Sequence, residues 1–159
     1  MEGRHSGNAF RYAESDGYLG KYSIVGIHEN YVPQNVLVDV QSNLFIQYNT
    51  YEDIFLRERK SFLQAVAQSV DFTYDNFTGI ELDLDCIENI LSSANTPAGI
   101  STLQARQYIT YAARHAKAAY LHLCEGATQL ADGRKDEKTG KLLSYLVSDF
   151  VKGRNEAAP

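Results

Sequence analysis

The segment "FTGIELDLDCIENILSSANTPAGIS", residues 77–101, places three acidic side chains in a stretch that otherwise predicts a buried β-strand. Alternate side chains of a strand point to opposite faces, so Glu81, Asp83 and Asp85 would share one face. Like charges held together away from water raise one another's pKa and destabilise the fold. A divalent cation would relieve this repulsion, and carboxylate oxygens favour Mn²⁺ or Mg²⁺. Alternatively, the strand end is solvated, and these acids only cap the next helix or pair with Lys and Arg.

The rest of the chain alternates strand and helix patterns. Four segments have the apolar and β-branched composition of strands: 22–28, 45–49, 79–85 and 118–124. Helices are predicted between them, with capping-box patterns at Thr50–Asp53 and Ser101–Gln104 and a last helix over 139–152. This alternation predicts an α/β fold in which helices cover both faces of a mainly parallel sheet.

Carboxylates follow three of the predicted strands. They occur in "HEN" at 28–30, "DLDC" at 83–86 and "CEG" at 124–126. Ligands of parallel α/β proteins lie beyond the carboxyl ends of the strands. The sequence therefore predicts a ligand site at this end of the sheet.

The composition and charge of the chain argue against several classes of function. The chain has 159 residues and a formal net charge of −5, which fits one domain, expected over 1–152 with a flexible tail at 153–159. No basic cluster favours a nucleic-acid partner, and no apolar run is long enough to span a membrane. The absence of a glycine-rich phosphate loop argues against a nucleotide-binding domain. The two cysteines, Cys86 and Cys124, are expected to be buried free thiols, as in a cytoplasmic protein.

Residues 79–101 resemble the third metal-binding block of the arginase/ureohydrolase family, in which a strand ends D-x-D and a loop leads through T-P and a glycine to a helix. "RHSGNAF" (4–10) resembles the family's S-G-N substrate loop. "AAYLHLCEGATQL" (118–130) resembles its late strand, which ends in a glutamate. Phe10 stands where arginases carry a histidine, and this makes the chain more similar to the formimidoylglutamases, which carry S-G-T-P-F there.

The resemblance implies a three-layer αβα fold and a manganese-dependent hydrolase of C–N bonds in linear amidines or guanidino compounds. For a formimidoylglutamase, N-formimidoyl-L-glutamate and water would give L-glutamate and formamide. Asp83 and Asp85 would be ligands of a binuclear Mn²⁺ centre, with Asp83 also catalytic because it positions the attacking water. Glu125, catalytic and substrate-binding, would hold the cationic formimidoyl group. The amino-acid end of the substrate would be bound by Arg4, Ser6 and Asn8. The resemblance is also compatible with a homo-oligomer.

The chain departs from the family pattern in several places. Glu81 replaces a serine, and "CIEN" at 86–89 replaces the D-P that normally follows the two aspartates. The G-G-x-H and D-A-H-x-D metal blocks are absent, and none of the 4 histidines can replace them by position. We therefore expect the C-terminal portion of a longer enzyme, its N-terminal part missing, which alone binds metal weakly and turns over little. The alternative is a catalytically inactive arginase-like module that binds a small amino acid or a partner, although retained acids at Asp83, Asp85 and Glu125 argue against it.

Overall fold

The computed structural model describes Gly3 and residues 8–157. Its strands alternate with helices along the chain, as the sequence predicts. The elements are α1 (Ala9–Ser15), β1 (Tyr22–Ile27), α2 (Gln34–Ser42), β2 (Ile46–Thr50), a π-helical turn (Glu52–Leu56), α3 (Phe62–Thr73), β3 (Thr78–Asp83), a 3₁₀ turn (Leu84–Cys86), α4 (Thr102–His115), β4 (Ala118–Cys124) and α5 (Glu137–Glu156).

The strands form two parallel pairs, which confirms the α/β class and the parallel strand direction. β1 pairs with β2, and β3 pairs with β4. In the second pair Glu81 lies opposite His122 and Asp83 lies opposite Cys124. Parallel pairing brings the carboxyl ends of β3 and β4 to the same edge, which is where the acidic residues of the sequence are concentrated.

The aliphatic face of β3 packs into the core beneath α3, α4 and α5. Ile80 and Leu82 are almost fully buried, and Leu84 at the end of this run is completely inaccessible. Ile109 of α4 and Leu146 of α5 belong to the same cluster and are equally inaccessible. Burial of this alternate set fixes the register of β3, because a shift by one residue would put the acids in the core.

Helix starts follow the predicted capping patterns. The hydroxyl of Ser101 accepts the N–H of Gln104 at 3.2 Å, and the Gln104 side chain accepts the N–H of Ser101 in return. At the other pattern, Thr50 Oγ1 accepts the N–H of Asp53 at 3.1 Å. The turn that follows is π-helical and short, and the chain restarts as α3 after a cap on Ser61.

The strand predicted over 79–85 ends two residues early. β3 stops at Asp83, whose Oδ1 accepts the N–H of Asp85 at 2.9 Å and turns the backbone into a 3₁₀ turn. Asp85 therefore does not continue the alternation of Glu81 and Asp83. The prediction that all three acids share one strand face is wrong for Asp85.

The structure also differs from the predictions for the C-terminal tail and for the two cysteines. Helix α5 continues to Glu156, so the tail predicted from Gly153 is helical that far, and Gly153 is buried where α5 crosses Ala113. Cys86 is an exposed free cysteine and Cys124 is half-buried, so neither is the buried thiol that was expected. Within the described ranges, no helix has the length and hydrophobicity needed to cross a bilayer.

Candidate active site

The ends of β3 and β4 bring together the acids that the sequence singles out. Asp83 lies opposite Cys124, so Glu125 follows immediately on the neighbouring strand. Gly126 leaves little room for a side chain here, because a Cβ on it would lie 2.6 Å from Leu84 Cδ2 and Leu84 would have to shift. The ends of β3 and β4 meet at this point, and Asp83, Asp85 and Glu125 form one acidic cluster there.

Asp83 is exposed and has two carboxylates as neighbours. Loss of surrounding water raises the pKa of its carboxyl group above the ordinary value, and the charges of Asp85 and Glu125 raise it further. No Lys, Arg or His of the described chain forms an ion pair with these three acids. Among the residues that the structure describes, the cluster therefore has no cationic partner, an arrangement that favours a bound cation.

Asp85 is oriented by the loop that follows β3. Its Oδ1 accepts the N–H of Ala94 at 2.8 Å, and its Oδ2 lies 3.0 Å from Ser93 Oγ. The same hydroxyl lies 2.6 Å from Glu125 Oε2. Ser93 therefore connects Asp85, in the turn after β3, with Glu125, which follows β4. The sequence motif does not include Ser93, so this connection was not predicted.

Glu125 has an unusual backbone. Its φ is 62°, in the left-handed region that non-glycine residues rarely occupy. The N–H of Ser93 donates to its carbonyl at 3.2 Å, and the N–H of Gly126 donates to the carbonyl of Cys124 at 2.8 Å. Strained conformations of this kind persist only where neighbouring contacts hold them, and they concentrate at functional sites.

Glu81 takes no part in this cluster. Its carboxylate contacts Nδ1 of His122, the residue opposite it on β4. His122 is exposed, with 57% of its side chain accessible, so the pair lies at the surface and not in the core. Glu81 thus stabilises the pairing of β3 with β4 from the exposed face of the strands.

The predicted substrate loop is only partly described. Arg4 and Ser6 lie outside the described residues. Asn8 precedes α1, and its Nδ2 donates to the carbonyl of Gly3 at 3.1 Å. Phe10 stacks on Tyr22 of β1 with ring centroids 4.6 Å apart, so this part of the loop packs against the first strand pair.

A second polar cluster lies at the carboxyl ends of β1 and β2. Glu52 is buried, accepts the N–H of Glu29 at 3.1 Å and lies 3.6 Å from His28 Nδ1. Arg57 holds the Glu29 carboxylate by two bonds of 2.6 and 2.8 Å. The motif "HEN" was predicted as part of a site, but Glu52 was not. The one indication of Glu52 in the sequence is that a glutamate occurs within an apolar helical segment.

Two thiols, Cys86 and Cys124, lie beside the acids in the sequence and have raised pKa values. Loss of water, together with the charge of Asp83, raises the pKa of Cys86 to about 12 and that of Cys124 to about 11. A raised pKa favours the thiol form, which is a weaker nucleophile than the thiolate. The shifts therefore argue against a cysteine nucleophile at the cluster.

The carboxylates of the cluster are the right type of ligand for a hard cation, but there are too few of them for a complete site. Carboxylate oxygens are ligands for Mn²⁺. Both oxygens of Asp85 already contact donors, and one oxygen of Asp83 does. In the part of the chain that the structure describes, no three His, Cys, Asp or Glu side chains converge as a metal site. These residues alone do not fit a complete binuclear centre.

No sequence-family model matches the chain, and no curated protein sequence matches it either. Solved structures do. Formimidoylglutamase from Bacillus subtilis superposes with a TM-score of 0.83 at 17% identity, over 100% of this chain and 50% of that one. Trypanosoma cruzi formiminoglutamase, solved with Mn²⁺, gives 0.77 at 15% identity, over 96% of this chain and 51% of that one. Arginase from Bacillus subtilis gives 0.67 at 16% identity, over 81% and 43%.

This chain spans about half the length of these enzymes. At such low identity the superpositions establish the fold, and the parallel pairing of β1–β2 and β3–β4 belongs to it. The chain has the arginase-like fold.

Proposed function

We propose that this chain forms part of a manganese-dependent hydrolase that cleaves C–N bonds of linear amidines, with N-formimidoyl-L-glutamate as substrate. Water would be consumed, and L-glutamate and formamide would be released. The observation that carries the proposal is the cluster of Asp83, Asp85 and Glu125 at the carboxyl ends of β3 and β4 in an arginase-like fold, which has no cationic partner among the described residues.

Glu125 is the group we assign to the substrate's cationic end. An amidinium carries N–H donors on both nitrogens and a positive charge, so a carboxylate binds it through charge-assisted hydrogen bonds. Glu125 is exposed, and within the described ranges its carboxylate is bonded only to a neutral donor, so it is available to a cationic ligand. Contacts that grow stronger as the amidine carbon becomes tetrahedral would make Glu125 catalytic as well as substrate-binding.

Asp83 and Asp85 are the residues we assign to manganese. They would supply two oxygen ligands of a centre completed by residues that lie outside the described chain. The metal, when bound, supplies activated water. On this chain's side, Asp83 would position that water, and Ala94 would keep Asp85 turned toward the same space through its N–H at 2.8 Å.

The substrate's amino-acid end is assigned to Arg4, Ser6 and Asn8. The proposal for a formimidoyl substrate is supported by Phe10, an apolar ring packed on Tyr22 where a histidine would mark an arginase. Formimidoylglutamate carries two carboxylates, which a cationic side chain would bind. Arg4, at the start of the segment 4–10, is the cation that we assign to them.

A direct test uses the protein translated from the complete reading frame in the source DNA, loaded with MnCl₂. Formamide, urea or amine release would be measured from N-formimidoyl-L-glutamate, L-arginine, agmatine and 4-guanidinobutyrate. Turnover of the first substrate, abolished by Asp83→Asn and by Glu125→Gln, is the expected result. Turnover of none of the four would overturn the proposal.

The second candidate is a catalytically inactive arginase-like module. It is favoured by one observation, the lack of three converging metal ligands within the described residues. The same experiment separates the two functions. An inactive module, which would bind a small amino acid or a partner, would release no product from any of the four substrates, with or without Mn²⁺.

A further inference from the structure

We infer that Ser93 is a positioning residue that fixes the amidine-binding carboxylate of Glu125 relative to Asp85. The inference rests on the proposed function of these acids. Ser93 lies in the loop between β3 and α4, far in sequence from Glu125. It nevertheless contacts both acids through one oxygen, at 3.0 Å from Asp85 Oδ2 and 2.6 Å from Glu125 Oε2.

Ser93 holds Glu125 at two points. Its backbone N–H donates to the Glu125 carbonyl at 3.2 Å, and its hydroxyl contacts the Glu125 carboxylate. The backbone bond supports the left-handed conformation at φ 62°, and the side-chain bond selects the rotamer. Together they fix both the direction in which the side chain leaves the backbone and the place where its charge lies.

Backbone hydrogen bonds near Ser93 join the loop after β3 to the turn after β4. We call these two joined segments, 91–93 and 125–127, the frame. Ser92 forms an antiparallel bridge with Gly126, and the N–H of Ala127 donates to Leu91 at 3.0 Å. The loop after β3 and the turn after β4 are thereby joined on both sides of Glu125. The Ser93 hydroxyl is the one side-chain group of this frame that reaches both acids.

A serine suits this position better than a charged donor. A hydroxyl has a single proton, so it donates to one carboxylate at a time, and the shorter contact assigns that proton to Glu125. Because the donor is neutral, it brings no positive charge next to the two acids. A lysine or arginine there would orient them equally well but would compete with an amidinium ligand for the same carboxylates.

The test compares Ser93→Ala, Ser93→Thr and Ser92→Ala in the Mn²⁺-loaded protein of the complete reading frame. We expect Ser93→Ala to raise KM for N-formimidoyl-L-glutamate about tenfold and to lower kcat by a smaller factor, because a displaced Glu125 binds the substrate less tightly and loses part of its stronger contact with the transition state. Ser93→Thr keeps the hydroxyl and should restore KM. Ser92→Ala is the matched control, since the Ser92 hydroxyl contacts Asn95 and neither acid.

A second readout needs no turnover. In the isolated chain, Ser93→Ala should shift the side-chain carboxyl ¹³C signal of Glu125, whereas Ser92→Ala should leave it unchanged. An unchanged signal, or a loss of kcat at constant KM, would overturn the positioning role while leaving the proposed function intact. A wild-type protein that hydrolyses none of the substrates would overturn both, and a Ser93→Ala protein that fails to fold is replaced by Ser93→Cys in both measurements.

Discussion

Gly99 lies directly against the carbonyl of Cys86: a Cβ on Gly99 would be 2.3 Å from that oxygen. The contact closes the loop between β3 and α4. The N–H of Ile100 donates to Cys86 at 2.8 Å, and the N–H of Glu88 donates to Ile100 at 3.0 Å. The loop that carries Ser93 and Ala94 therefore begins and ends at one point, which holds these residues over the acidic cluster.

Gly99→Ala should destabilise the chain by about 1–3 kcal/mol, because the new methyl group meets backbone atoms that cannot rotate away. Urea unfolding followed by circular dichroism would measure the loss. Gly20→Ala is the matched control, since no atom lies within 4 Å of a Cβ there. Equal stability of the two variants would contradict the close approach of Gly99 to Cys86.

Ser101→Ala should destabilise the chain by about 1 kcal/mol, because the first turn of α4 loses the acceptor for the Gln104 N–H. Ser148→Ala removes a hydroxyl from an exposed position within α5, where it bonds only to the carbonyl of Ser144, and it should be neutral or slightly stabilising. Thermal unfolding of both variants would provide the comparison. A Ser101→Ala protein as stable as Ser148→Ala would show that the cap contributes nothing.

Removal of Asp149 should cost more stability than removal of an exposed acid. Asp149 is 9% exposed and receives two bonds from Arg106 across the α4–α5 contact, at 2.6 and 3.0 Å. Asp132 makes a similar pair with Arg134, but on the surface. Water already solvates that pair, so Asp132→Asn should have little effect whereas Asp149→Asn should lower the melting temperature clearly. Differential scanning calorimetry would rank them, and the reverse order would contradict this account.

Local patterns were sufficient for the strands and for the larger helices. The alternation of Ile80, Leu82 and Leu84 predicted a buried face, and all three are in the core. The Ser101–Gln104 pattern predicted the start of α4. These signals are local because a strand's alternation and a helix cap each depend on residues within a few positions.

The geometry of the acidic cluster could not be predicted from the sequence. It is determined by one side-chain bond within the turn and by one contact between residues that are far apart in the chain. The end of β3 at Asp83 follows from a side-chain bond to the Asp85 N–H, which competes with continued strand pairing. Ser93 acquires its position only when β4 brings Glu125 beside it, and no spacing rule connects the two residues. Helix α1 (Ala9–Ser15) was not predicted, and no cap or apolar stripe gave the position of helix α2 (Gln34–Ser42) between the first two strands, because few residues of either helix are buried.

Asp83→Asn should stabilise the metal-free chain at neutral pH. Loss of water and the neighbouring acids raise the pKa of Asp83 above its ordinary value, so the folded protein binds this proton more tightly than the unfolded chain. The stability that Asp83 contributes is therefore full below the ordinary carboxyl pKa and is lost as pH rises through the raised value. Because Asp83 is exposed and solvent screens it, the gain on substitution should be under about 1 kcal/mol.

Urea unfolding in EDTA between about pH 3 and pH 8 would measure this effect, with Asp75→Asn as a control of opposite sign. A hydrogen bond from Lys21 lowers the pKa of Asp75, so its stabilising contribution is present at neutral pH and is lost as pH falls through the lowered value. Asp75→Asn should therefore weaken the chain at pH 7, where Asp83→Asn strengthens it. Destabilisation by both substitutions would mean that Asp83 has a cationic partner and that the cluster has no uncompensated charge for a metal or an amidinium to neutralise.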